Sequence, residues 1–212
     1  MPNLEKDFFS RHDKKVLAAL RPAAVGIAGA GGLGSNAAIA LARAGVGRLV
    51  IADFDRIEAS NLNRQQYAVK QIGLRKVKAL RANLRLLAPF TECEARDVKV
   101  TPSNVDELFG GVDILIEAFD KAGEKRMLID AWLRLHPDKP LIAASGLAGY
   151  GGNSKLRTRR LGSLYICGDG ESQCPPGVSP MAPRVAIVAN MQANLAIELL
   201  MKIKRRKKNV QD

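Results

Sequence analysis

Apolar residues recur along the chain in two rhythms. Short runs such as AAVGIAGAG (23–31), RLVIAD (48–53), VDILIEAFD (112–120) and PLIAASG (140–146) are apolar almost throughout. Strands of a parallel sheet, covered on both faces, read this way. Between them lie stretches with helical spacing: LGSNAAIALARAGVG (33–47), LRKVKALRANLRLLAP (74–89), SNVDELF (103–109) and AGEKRMLIDAWLRLH (122–136). A further strand is predicted near ECEARDVKV (92–100), a short helix over 10–21 with Val16, Leu17 and Leu20 on one face, and a last helix over APRVAIVANMQANLAIELLMKI (182–203). The small residues of 33–47 suit a helix pressed close against a sheet.

Strand and helix alternate to about residue 147. That pattern predicts an α/β fold with a Rossmann-like, doubly wound and mostly parallel sheet, its crossovers right-handed. From Ala148 to Pro180 the pattern breaks. GYGGNSKLRTRRLGSLYICGDGESQCPPGVSP is rich in Gly, Ser and Pro and holds one recognisable strand, near LYIC. A connection this long reads as a functional crossover loop, and the chain then closes with its C-terminal helix.

At 212 residues and 47% apolar content, one domain over 1–204 is expected, followed by a flexible basic tail, 205–212. The net charge is +12. Part of it sits in Lys202, Lys204, Arg205, Arg206, Lys207 and Lys208, a run read first as solvated; part lies in Lys70, Arg75, Lys76, Lys78, Arg81 and Arg85. Cys93, Cys167 and Cys174 form no disulfide framework. With no hydrophobic signal core and no uninterrupted apolar run long enough to span a bilayer, a cytoplasmic protein without membrane contact is expected.

Gly29, Gly31 and Gly34 satisfy G-x-G-x-x-G between a strand and a helix, and Asp53 ends the next strand. Bare backbone there lets phosphates approach a helix N-terminus, and the carboxylate accepts from ribose hydroxyls. These positions alone favour a nicotinamide or flavin oxidoreductase. A Walker loop is excluded, since G-x-x-x-x-G-K-[ST] does not occur. The segment after Asp53 changes the reading: Asn61, Arg64 and Gln65 are followed by Lys76 at the head of a helix. Such a set suits a triphosphate, where arginine's fork and a lysine point charge meet the β and γ groups.

The stretch DFDRIEASNLNRQ, with GAGGLGS before it and GLRK after it, strongly resembles the E1-like adenylyltransferases, the ThiF, MoeB and HesA group, from about Arg11 to Leu200. GLAGYG, YICGD and MAPRV look closest to a small ThiF branch tied to thiamine biosynthesis. The resemblance implies ATP at Gly29, Gly31 and Gly32 with Asp53 on the ribose. It implies Asn61, Arg64 and Lys76 as triphosphate ligands, and Asp120 as the magnesium ligand. It further implies that a ubiquitin-fold sulfur carrier, ThiS-like and ending in Gly-Gly, is adenylated on its terminal carboxylate. A carboxyl with a pKa of about 3.5 is already ionised and needs no general base, which fits a chain whose only histidines are His12 and His136.

Relatives are commonly homodimers in which an arginine of R-x-x-R reaches the partner's ATP. Here that motif is Arg11-His12-Asp13-Lys14, so the trans contact falls to Arg11 or Lys14. Cys174 lies near a cysteine that takes part in sulfur transfer in some relatives. The paired C-x-x-C motifs of a structural zinc are absent, and no zinc site is expected. A molybdopterin-type carrier, a modified tRNA carboxylate, a dinucleotide oxidoreductase and a non-catalytic nucleotide sensor remain as alternatives, with nucleic acid ranked behind a protein carrier.

Overall fold

The structure, a computed structural model, describes residues 3–174 and 180–209. Its centre is a seven-stranded sheet in the order β3-β2-β1-β4-β5-β7-β6. The strands are β1 (Ala24–Ala28), β2 (Arg48–Ala52), β3 (Glu92–Arg96), β4 (Ile114–Glu117), β5 (Leu141–Ala144), β6 (Arg157–Leu161) and β7 (Leu164–Gly168). All pairings are parallel except that of β6 with β7. The expected doubly wound fold is therefore the one observed. From β1 the chain moves outward to β2 and β3, then returns to place β4 on the other side of β1. The crevice outside the C-terminal ends of β1 and β4 is the topological switch point, where such sheets take ligands.

Helices cover both faces. They are α1 (Leu4–Phe8), α2 (Lys14–Leu20), α3 (Gly32–Ala44), α4 (Lys76–Leu87), α5 (Val105–Phe109), α6 (Ala122–Leu135) and α7 (Ala182–Asn209). Alternate residues of each strand feed the two cores, as a period of two requires. Val25, Ile27, Leu49, Ile51, Ile114 and Ile116 pack under α3, α4 and α7. Val50 and Leu115 meet Phe109 and Trp132 of α5 and α6 on the other face. Alanines make the α3–α7 layer thin: Ala37, Ala38, Ala189, Ala193 and Ala196 are all buried there. Gly34 allows α3 to begin directly against the loop, since a Cβ at that position would lie 1.9 Å from the Gly29 carbonyl oxygen.

The structure differs from the sequence reading in three places. The single helix expected over 10–21 is preceded by a separate helix, α1, and starts only at Lys14. Asp13 accepts from the backbone N–H groups of Lys15 and Val16 and so defines a new N-cap. The crossover region holds a second strand, β6, all five residues of which are exposed, and it pairs antiparallel with β7; residues 175–179 of that region lie outside the described residues. Helix α7 continues to Asn209, taking in most of the segment expected as a tail, whose last three residues are likewise outside the described ones. By length and composition, Ala182–Arg205 would also suffice to cross a membrane, although polar residues interrupt it. Here it lies against α3, and Gln192 donates to the Glu117 and Ile142 carbonyls at 3.0 and 3.1 Å.

Candidate functional site

A cleft of about 930 Å³ opens at the switch point. Its floor begins with the glycine loop: β1 ends, Gly29 turns at φ 102°, and α3 starts with Gly31 as N-cap and no side-chain cap. The first-turn N–H groups of α3 are thus left for a ligand, and the helix dipole favours an anion there. Asp53 follows β2. Its Oδ2 accepts from Ala30 N and its Oδ1 from Asp55 N, both at 2.7 Å. Burial pushes its carboxyl upward in pKa, against the pull of those two N–H groups and of Lys76. Each oxygen keeps a lone pair for a hydroxyl.

The segment carrying Arg64 and Gln65 is strapped over the glycine loop by side chains from α3. Asn36 Nδ2 donates to the Gly32 and Arg64 carbonyls at 2.7 and 3.2 Å, and Ser35 Oγ accepts from Gln66 N at 3.1 Å. Tyr67 Oη donates to the Ala30 carbonyl at 2.6 Å, and burial raises its pKa, with Asp53 and Asp55 adding to the effect. The Arg64 stem consequently stands over Gly32, with Cγ 3.5 Å from where a Cβ would be. Lys76, at the start of α4 and 7% exposed, reaches in from the side and holds Asp55 Oδ2 at 2.8 Å. Gly29, Gly31, Gly32, Asp53, Arg64 and Lys76 all line the cleft.

Asp120 also lines it, exposed, just past the end of β4. Beneath it lies a pair the sequence reading did not single out. Glu117, with no exposed side-chain surface, accepts from Lys125 Nζ at 3.0 and 2.9 Å on its two oxygens and from Phe119 N at 2.7 Å. The visible signal was a lone acid closing the apolar strand ILIE, with a lysine about one turn into the next helix. Asp55 was likewise missed, although it sits two residues past Asp53.

Asn61, expected at the triphosphate, does not line the cleft, and Arg11 and Lys14, expected at a partner's ATP, lie away from their own. Asn61 caps its own 3-10 turn, its Oδ1 accepting from Glu58 N at 3.0 Å, and lies outside the cleft lining. The reason is local: an Asx side chain finds a backbone donor three residues back before it finds a distant ligand. Arg11 and Lys14 are exposed at the far end of α3, where His12 Nε2 meets the Arg43 carbonyl at 3.1 Å. The 13 residues of α3 separate them from the glycine loop by about 20 Å.

The opposite wall comes from the chain after β5 and after β7, and Cys174 stands in it, exposed. Cys93 is half-buried on β3 and Cys167 buried on β7; burial raises both thiols, that of Cys93 to about 11. Among the described residues no three His, Cys, Asp or Glu side chains gather as metal ligands. Native alkylation with iodoacetamide at pH 8 should add one group, at Cys174, and two more only after denaturation. Intact mass and peptide mapping check this, and fast native labelling of Cys93 would contradict its placement.

Fold and cleft together define a doubly wound α/β domain whose switch-point cleft has an anion-favouring floor. The chain belongs to the ThiF family, which it matches over residues 5–211. It is 32% identical over 196 residues, 85% of the chain, to the adenylyltransferase and sulfurtransferase uba4 of Pyricularia oryzae. It is 32% identical over 174 residues to the adenylyltransferase and sulfurtransferase MOCS3 of Anopheles gambiae. The chain spans 39% of the length of each of these two relatives. In fold it is similar to the E. coli tRNA N6-threonylcarbamoyladenosine dehydratase TcdA in complex with ATP, with a TM-score of 0.84, 24% identity and 94% of each chain covered. The family read from GAGGLGS and DFDRIEASNLNRQ is thus the one to which the chain belongs.

Proposed function

We propose that this domain is an ATP-dependent adenylyltransferase that activates the terminal Gly-Gly carboxylate of a ubiquitin-fold sulfur carrier of the ThiS kind, feeding thiazole synthesis for thiamine. The observation that carries the reading is that the Arg64 stem stands over Gly32 at the uncapped N-terminus of α3, its guanidinium resting on the Ser60 carbonyl and Asn63, while Lys76 enters the same cleft beside Asp53 and Asp55. A dinucleotide's pyrophosphate is held chiefly by the helix N-terminus, so an arginine and a lysine together in this cleft suit the extra charge of a triphosphate better. An acyl-adenylate forms when a carboxylate oxygen attacks the α-phosphorus and the bond to the pyrophosphate oxygen breaks. The nucleophile carries its charge already, so the protein's task is alignment and neutralisation.

In this reading Asp53 fixes the ribose and the α3 N–H groups hold the phosphates. Arg64 and Lys76 take up the charge that grows on pyrophosphate as it leaves. Asp120 fits magnesium, which commonly binds through one or two carboxylates together with substrate phosphates and therefore needs no cluster of protein ligands. Such an ion would neutralise phosphate charge. The homodimer implied by Arg11 and Lys14 belongs to the same proposal: at about 20 Å from their own loop, these residues could serve only a neighbouring copy.

A second reading, a tRNA-borne carboxylate, is favoured by the net charge of +12 and by Lys78, Arg81 and Arg85, exposed along one side of α4. One experiment separates the two. A Gly-Gly-ending carrier from the same genome, incubated with this protein, ATP and magnesium, is expected to gain the mass of one AMP. An unchanged carrier beside ATP-dependent modification of tRNA would reverse the order of the readings.

A further inference from the structure

The wall of the cleft facing the glycine loop is built from two segments distant in sequence, Ser145–Ala148 and Ser172–Cys174, with Pro180 and Val185 beside them. One side-chain pair joins these segments. Asp169, just after β7, and Arg184, in the first turn of α7, form the one ion pair among the described residues with both side chains under a tenth exposed. Arg184 Nη2 donates to Asp169 Oδ2, and its Nη1 to the Gly151 carbonyl. Asp169 Oδ1 accepts from Glu171 N and Ser172 N at 2.8 Å each. The backbone completes the knot: Asp169 N donates to the Gly146 carbonyl and Gly170 N to that of Ser145, both at 3.1 Å, while Arg159 holds the Asp169 carbonyl at 2.9 Å. Gly146 sits at φ +73°, so close that a Cβ there would lie 1.9 Å from Asp169 Oδ1.

Stability is a poor account of this pair. Two buried charges lose hydration that their attraction only partly offsets, and apolar side chains of equal volume often do as well. Arg184 also keeps its buried Nε without a hydrogen-bond partner among the described residues. What the arrangement supplies is position. Both loops of the wall are registered to α7, and α7 begins next to the glycine loop, where Val185 Cγ1 is 2.9 Å from a Cβ built on Gly32.

We infer that Asp169 and Arg184 are positioning residues for the carboxylate substrate: they set the wall against which its tail is laid out toward the α-phosphate, and they leave the nucleotide half of the cleft alone. The identity of that substrate rests on the adenylation reading.

The test compares the wild-type chain with D169N and with the neutral pair D169N/R184Q, which strands no buried charge and keeps the fold within reach. ATP affinity by calorimetry should stay within about two-fold. Hydrogen exchange should quicken by about ten-fold or more over 146–151 and 171–174 together, and stay unchanged over 29–36. In AMP transfer to the Gly-Gly-ending carrier, the KM for carrier should rise by about ten-fold, with kcat and the KM for ATP much less affected. Unaltered exchange in the neutral pair overturns the inference, as does an equal loss in ATP and carrier binding. Should the wild-type protein transfer no AMP to the carrier, the adenylation reading fails by itself, and exchange together with ATP affinity still decides whether the pair sets the wall.

Discussion

Replacing Lys125 with alanine should lower stability by about 3–5 kcal/mol, the usual result of removing one partner from a buried ion pair. For a domain of this size, Tm should fall by on the order of 10 °C. Glu117 has no exposed side-chain surface, and Lys125 donates to both of its oxygens. Burial already raises the Glu117 carboxyl above its ordinary 4.5 with Lys125 in place, whose charge opposes the shift. Above pH 4.5 the folded state therefore binds more protons at this site than the unfolded state does. Stability falls as pH rises from there toward the folded value. Without Lys125 the folded value climbs further, so the deficit of Lys125→Ala should be smallest near pH 4.5–5 and grow toward pH 8. Adding Glu117→Gln should recover much of the loss, since no charge is then stranded. Thermal melts of the three proteins at pH 5 and pH 8 check both statements. A Lys125→Ala protein within about 1 kcal/mol of wild type at pH 8 would refute the pairing.

That pair also shows where reading the sequence stops. Strand, glycine loop and helix were legible because their signal is local: an apolar run, glycines at fixed spacing, small residues on one helix. Arg64 and Lys76 were legible through their order after Asp53, and Asp120 through resemblance. Glu117–Lys125 and Asp169–Arg184 join residues 8 and 15 positions apart across a change of element, and no periodicity marks such pairs. Strand β6 was missed for a related reason. RTRRL at the sheet's edge has neither alternation nor a buried face, and edge strands commonly carry charge to discourage pairing with other chains. Asn61 shows a different limit: its residue type suits a ligand, and its Oδ1 engagement by its own backbone is visible only in the fold.

Lys76→Ala should leave the fold nearly intact and cost about 10²–10³-fold in the rate of AMP transfer. The contrast with Lys125 lies in the partner. Asp55, held by Lys76 at 2.8 Å, keeps 50% of its side chain exposed and returns to water when the lysine is removed, so stability should change by about 1 kcal/mol or less. The lysine itself is 7% exposed and fixed at the start of α4, its N–H bonded to the Asp55 carbonyl at 2.9 Å. An ammonium held in place before the reaction begins loses nothing to reorganisation as pyrophosphate charge develops, and one such donor contributes on the order of 2.7–4 kcal/mol in the transition state. Arg64→Ala should lose a similar factor. In the adenylation reading both cations act on the same leaving group, so the double variant should lose less than the product of the two. Pyrophosphate release under saturating ATP and carrier, beside a thermal melt, reads both quantities. A Lys76→Ala enzyme with normal kcat and only a raised KM for ATP would place the lysine in uniform nucleotide binding and leave Arg64 to carry the chemistry.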